Sequence, residues 1–153
     1  MTQSRTPMIV LMADDDADDR LMAQEAFEEA RLLNPLYFVE DGEALLDYLY
    51  RRGRYTTAAA APTPGLILLD LNMPKKDGRQ ALQELKADPT LRHIPIVVLT
   101  TSKAEEDILR TYNLGVSSFI TKPVSFEGLV DLVKGLMHYW FEIVTLPPQK
   151  VEA

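Results

Sequence analysis

The chain contains no cysteine, which excludes disulfides and thiol chemistry and leaves the redox compartment open. Positive charge is also scarce: 16 Lys and Arg against 23 Asp and Glu leave a formal net charge of -7 over 153 residues. Unaided nucleic-acid binding draws most of its affinity from phosphate contacts, and no basic stripe is present to make them. Long apolar runs are missing too. The N-terminal MTQSRTPMIVLMADDD reaches six apolar residues before the acids begin, short of a secretory signal. Nothing approaches the roughly 20 apolar residues of a membrane span. The expectation is a soluble cytoplasmic protein without membrane or nucleic acid as partner. Its length suits one domain with a real core.

What the chain does have is alternation. MIVLMA (8–13) reads as a strand, and Asp18 to Arg31 carries Leu21, Met22, Ala26 and Phe27 at helical spacing. LYFVE (36–40) is a second strand and EALLDYLYRR (43–52) a second helix, opening after Asp41-Gly42. Residues 52–65 lack a period and end Pro-rich, which reads as a long surface loop. Then come LILLD (66–70), the helix RQALQELKA (79–87), the strand IPIVVLT (94–100) and the helix EEDILRTYNLG (105–115). SSFIT (117–121) and a last helix from Phe126 to about Phe141 complete the order. Five strands alternating with five helices predict a doubly wound α/β domain, since parallel strands need crossovers and helices then cover both faces. Ligands of such sheets bind beyond the carboxyl ends of the strands, where the strand order reverses.

The residues expected on that rim are unusual. The first strand ends in Asp14, Asp15 and Asp16, and the third, otherwise apolar, ends in Asp70. The fourth ends in Thr100-Thr101-Ser102 and the fifth just before Lys122-Pro123. Two carboxylates about 4 Å apart repel by roughly 4 kcal/mol at an effective dielectric near 20, so such a cluster raises its own pKa values or recruits a cation. An all-oxygen site that leaves room for water and phosphate suits Mg²⁺. Asp70 beside that ion has the makings of a nucleophile toward a phosphoryl group, with Lys122 offsetting the charge of the transferring oxygens. Taken singly, the parts have plainer roles. Asp16, Asp18 and Asp19 suit the cap and first turn of a helix, and Lys122, His93 and His138 suit solvated or packing positions.

The pieces ADDD, LLDLNMPKKDG, VVLTT and FITKPV, in that order over residues 8 to about 140, resemble the receiver domain of bacterial two-component response regulators. The resemblance implies a five-stranded (βα)5 fold of flavodoxin-like order 2-1-3-4-5. It makes Asp70 the phosphoacceptor and Asp14 and Asp15 the metal acids, with Asp15 the closer ligand because Arg20 follows at the family's interval. The backbone carbonyl of Asn72 would complete the protein's share of the Mg²⁺ shell. Thr100 matches the hydroxyl that moves toward the phosphoryl group, Lys122 the lysine that pairs with it, and Phe119 the aromatic whose rotamer reports the state. Phe119 lacks the hydroxyl of the Tyr found in many members. Asn72 and Ser102, two positions past Asp70 and Thr100, would flank the attacking water and tune phosphate lifetime. The family's Lys-Pro bond is cis, which implies a cis Lys122–Pro123 peptide.

The long loop before the third strand, NMPKKDGR, ADPTLRHIPIVVLTTS and the terminal HYWFEIVTLPP together resemble the single-domain regulators paired with phytochrome-type histidine kinases. That implies such a kinase as phosphodonor. The expected boundaries are an N-terminal tail over 1–7, a receiver domain over 8–141 and a C-terminal tail over 142–153. Twelve residues after Phe141 leave no space for an output domain, so output is expected through protein contacts or a phosphorelay. On the last helix, Leu129, Val133, Leu136, Met137 and Trp140 form a core-facing stripe, with Leu132 and Tyr139 outside its centre. Phe141 widens this apolar arc beyond what one sheet face covers, which predicts a homodimer through helices 105–115 and 126–141 with the tail. The alternative is that EIVTLPP folds back over the excess. The Arg51-Arg52-Gly53-Arg54 cluster reads as a solvated loop.

Three rival functions remain at this stage. A haloacid-dehalogenase-type phosphatase also uses a strand-end Asp, but needs a second acid where this chain has Asn72, which cannot protonate a leaving group. A flavodoxin-like cofactor binder needs a phosphate loop that ADDDADD would repel. A receiver-like binding module that is never phosphorylated has no evident need for the full set Asp14, Asp15, Asp70, Thr100 and Lys122.

Overall fold

The computed structural model describes residues 8–57, 60–70, 78–100, 118–123 and 125–139, without the side chains of Thr100, Ser118 and Phe119. Five parallel strands form one sheet: β1 (Val10–Ala13), β2 (Leu36–Val39), β3 (Leu66–Asp70), β4 (Ile96–Thr100) and β5 (Ser118–Thr121), in the order β2-β1-β3-β4-β5. Among the described residues the α-helices are α1 (Ala17–Glu29), α2 (Gly42–Tyr50), α3 (Gly78–Ala87) and α4 (Phe126–His138). The predicted helix over 105–115 lies outside the described residues, as do Asn72, Ser102, Trp140, Phe141 and the terminal tails.

β1 and β2, and β3 and β4 up to their last residues, are apolar because both faces of the sheet are covered. Residues alternate between two cores, as the two-residue period of a strand requires. Leu11, Ile67, Leu69 and Val98 point into the core capped by Leu45, Leu46, Leu82 and Leu85 of α2 and α3. Met12, Leu66, Leu68 and Val97 point into the other, capped by Ala23, Ala26 and Phe27 of α1 with Val133, Leu136 and Met137 of α4. The strands that flank the order reversal, β1 and β3, pair Ala13 with Leu69. Their next residues, Asp14 and Asp70, therefore leave the sheet side by side.

Helix ends follow local chemistry. Asp16 caps α1 by accepting from the backbone N–H of Asp18 and Asp19, and Asp41 caps α2 by accepting from Ala44 N–H at 2.7 Å. Ser125 caps α4 through Gly128 N–H. Gly128 itself is a close approach: a Cβ there would sit 3.1 Å from both the Pro123 ring and Ser125 Oγ. That contact seats the start of α4 directly on the turn that follows β5.

The structure corrects several sequence expectations. Leu21, placed on the apolar stripe of α1, is 55% exposed. The inner face there is made by Ala23, Ala26 and Phe27, whose two alanines let α1 lie close to the sheet. On α4 Val130 is buried, while Leu129 is only partly so, and Leu132 also packs against the core. Val133, Leu136 and Met137 are buried as expected, and Val130 extends that face on one side. The loop expected over 52–65 holds a 3-10 turn, Gly53–Tyr55, and its described residues are anchored at several points. Tyr55 and Ala61 are buried, Tyr48 donates its hydroxyl to Pro62 O at 2.7 Å, and Arg51 donates to Ala61 O and Thr63 Oγ1. The apolar anchors were too sparse and irregularly spaced to register as a period.

Candidate metal and phosphoryl site

The carboxyl rim of the sheet assembles in steps set by the register. Asp70 pairs with Leu99 and Thr100 with Thr121, so Thr100 lies one residue beyond Asp70's level and Lys122 one beyond that. Asp14, Asp70 and Lys122 therefore converge from three strand ends. Asp14 and Asp70 are two of the three buried polar or charged residues among those described, with Asp41 already explained as a cap. Charged groups are rarely buried without such compensation.

Lys122 supplies it. Its Nζ lies 2.8 Å from Asp14 Oδ2, 2.8 Å from Asp19 Oδ2 and 3.2 Å from Asp70 Oδ2. It donates hydrogen bonds to Asp19 and Asp70. The contact with Asp14 is a charge pair at hydrogen-bonding distance but poorly aligned, so that buried oxygen leans on the lysine's charge more than on a directed bond. Asp14 Oδ1 accepts from Asp16 N–H at 3.0 Å, and Arg20 Nη1 donates to the Asp14 carbonyl at 2.7 Å. The arginine thus pins the peptide between the two consecutive acids.

Burial pushes the Asp14 carboxyl above the usual carboxylate range, against the opposing pull of Lys122 and of the Asp16 N–H. Burial would lower the Lys122 ammonium, but Asp14, Asp19 and the charge of Asp70 outweigh it and raise that group. Lysine stays charged at neutral pH, and the carboxylate side of the site is held at an electrostatic cost.

Asp14, Asp15 and Asp70 each present a carboxylate oxygen, all within 4.8 Å of one another. Oxygen donors at that spacing, one buried and one on an exposed side chain open to solvent, fit a hard divalent cation that keeps part of its water shell. When bound, Mg²⁺ would offset the negative charge gathering on a phosphoryl group beside Asp70.

Asp14, Asp15, Asp70 and Lys122, four of the expected site residues, are brought together at one end of the sheet. Thr100 takes its expected place in β4 and Phe119 in β5 by backbone, while their side chains, together with Asn72 and Ser102, lie outside the description. Asp16 caps α1 as expected. Asp19 does more than charge the helix, because it reaches the lysine. Its position in the first turn of α1 was visible in the sequence, but nothing local distinguished it from Asp18. The implied cis Lys122–Pro123 bond is not found, and no peptide bond among the described residues is cis. The trans preference of an X–Pro bond is only about 0.5–1 kcal/mol, so either isomer is within reach of modest packing forces.

With fold and site in place, comparison with known proteins defines the class. Residues 10–134 match the model of the response regulator receiver domain family, and the chain belongs to that family. The chain is 40% identical over 145 residues to Response regulator Rcp1 of Synechocystis sp., covering 95% of this chain and 97% of Rcp1. It is similar to the crystal structure of the phosphorylated cyanobacterial phytochrome response regulator RcpA, with TM-score 0.85 and 40% identity over 94% of this chain and all of that one. The Mn²⁺-bound form of Rcp1 aligns with TM-score 0.81 and 40% identity, over 93% of this chain and all of that one.

Proposed function

We propose that the protein receives a phosphoryl group on Asp70 from a phytochrome-type sensor histidine kinase and passes the signal on through protein–protein contacts or a relay. The observation that carries this is the convergence of Asp70, Lys122 and the two further acids Asp14 and Asp15 at the order reversal of the sheet. In the transfer, an Asp70 carboxylate oxygen forms the new bond to phosphorus while the bond to the donor's atom breaks. Lys122 faces the oxygens of the group in flight, and electrostatic stabilisation is the main task in such reactions. Asp14 and Asp15 with Asp70, and the Asn72 carbonyl, would hold Mg²⁺. That assignment is supported by the spacing of the three carboxylates and by the metal-bound form of the relative Rcp1.

Phosphorylation adds nearly two negative charges and three acceptor oxygens. Thr100 would donate to one of them, and Phe119 would turn into the space left behind, repacking the surface of β5, α4 and the helix expected over 105–115. Asn72 and Ser102 would set how readily water reaches the phosphate. The receiver unit spans 8–141, the tail over 142–153 joins a homodimer interface, and the protein works in the cytoplasm. Phytochrome kinship rests on the similarity to RcpA and Rcp1; the homodimer rests on the wide apolar arc of the last helix.

The test is intact mass after incubation with Mg²⁺ and acetyl phosphate. One phosphoryl group is expected on the parent and none on Asp70→Asn. An equally stable, acid-labile phosphate on Asp70→Asn would remove the assignment. For the dimer, sedimentation at micromolar concentration showing only monomer, with and without beryllofluoride, would remove that part.

A further inference from the structure

Lys122 has three carboxylates within reach, and its two shortest contacts do not include the proposed phosphoacceptor. Asp14 and Asp19 lie at 2.8 Å, Asp70 at 3.2 Å. Asp14 belongs with Asp15 and Asp70 to the group that suits a metal. Asp19 does not. It stands on another element, the first turn of α1, with its side chain 35% exposed against 0% for Asp14 and 8% for Asp70. Its backbone N–H is already held by the Asp16 cap at 3.2 Å, so the helix start fixes where its carboxylate can reach. The hydrogen bond it accepts from Lys122 joins residues 103 positions apart.

We propose that Asp19 is a positioning residue that restrains the Lys122 ammonium at the mouth of the site and competes with phosphoryl oxygens for it. The inference rests on Asp70 being the phosphoacceptor. Two consequences of its charge act in the same direction. A carboxylate bonded to Lys122 occupies an N–H that the incoming phosphoryl group needs. A fourth negative charge beside Asp14, Asp15 and Asp70 also repels a dianionic donor. Both make phosphorylation slower than the remaining residues would allow, so Asp19 acts as a brake on acceptance.

The test is the rate of phosphorylation of Asp70 by acetyl phosphate with saturating Mg²⁺, in the parent, Asp19→Asn and Asp19→Glu. In this reaction an Asp70 oxygen bonds to phosphorus as the phosphorus–oxygen bond to acetate breaks, and acetate leaves with the electron pair. Asp19→Asn keeps the shape and removes the charge, and it is expected to react roughly threefold to tenfold faster at low salt. The gap should narrow toward 1 M salt, where charges more than about 3 Å apart are screened. Asp19→Glu, which restores the charge, should return toward the parent rate. A merely structural role would give neither the salt dependence nor the rescue. Asp19→Asn reacting at or below the parent rate, or Asp19→Glu behaving like Asp19→Asn, overturns the proposal while phosphorylation of Asp70 stands. If the parent gains no phosphate on Asp70, the functional reading itself falls and takes this inference with it.

Discussion

Asp15→Asn separates the electrostatic account of the site from a purely structural one. Asp15 is exposed, and its carboxylate oxygen lies within 4.8 Å of those of Asp14 and Asp70. At that separation two unit charges repel by about 3.5 kcal/mol at an effective dielectric of 20, and by about 0.9 kcal/mol in bulk water. Solvent around Asp15 places each of its two repulsions, with Asp14 and with Asp70, near the lower figure, and Lys122 offsets part of their sum. Neutralising Asp15 should therefore raise metal-free stability by about 1 kcal/mol, or about 2–4 °C in Tm for a chain of this size. The same substitution weakens the cation site. In the parent, Mg²⁺ at 100 times its Kd should add about 2.7 kcal/mol, and Asp15→Asn should lose most of that gain. Thermal melts of both proteins in EDTA and in a Mg²⁺ series read both effects at once. A variant that is less stable than the parent in EDTA, or that keeps the full Mg²⁺ shift, would refute the reasoning.

Other parts of the fold make equally specific demands. Leu82, fully buried between α3 and the sheet, should cost about 2–5 kcal/mol when replaced by Ala; urea unfolding with an unchanged m-value would register it as lost stability. Tyr48→Phe removes the hydroxyl that donates to Pro62 O at 2.7 Å; a loss of about 0.5–1.5 kcal/mol and faster proteolysis within 51–65 are expected, and unchanged cleavage there would count against the anchor. Asp88 accepts from the Thr90 hydroxyl, the Tyr50 hydroxyl and the Thr90 N–H, which hold its carboxyl down to about 2 from an ordinary 3.8. A lowered folded-state pKa means stabilisation present above the unfolded value and lost as pH falls toward the folded one. The stability difference between parent and Asp88→Ala should thus hold above about pH 5 and shrink on acidification toward pH 2; a constant difference would contradict these bonds.

Much of this was legible along the chain. The strands from Leu66 to Asp70 and from Ser118 to Thr121 end within a residue of their expected limits, because strands buried on both faces are short, continuous apolar runs bounded by polar residues. That topology then places every strand end on one rim, so Asp14, Asp70 and Lys122 could be grouped from sequence order alone. The helices were read less well. Leu21 satisfied the helical period yet faces solvent, since the orientation of α1 is decided by how closely Ala23 and Ala26 can approach the sheet. The tyrosine anchors of residues 51–65 had no period to betray them, because each is set by the surface it meets.

The doubly wound α/β class and the identity of the acids and lysine at the strand ends follow from local apolar pattern and the geometry of parallel connections, while the strand order 2-1-3-4-5 came from the family resemblance. How those charges are shared depends on the folded packing. Lys122 binds Asp19 as closely as Asp14 and more closely than Asp70, and that choice depends on ångström-scale placement of α1 over the sheet. Ion pairing varies steeply with distance and burial, and neither quantity is carried by residues 103 positions apart until the chain has folded.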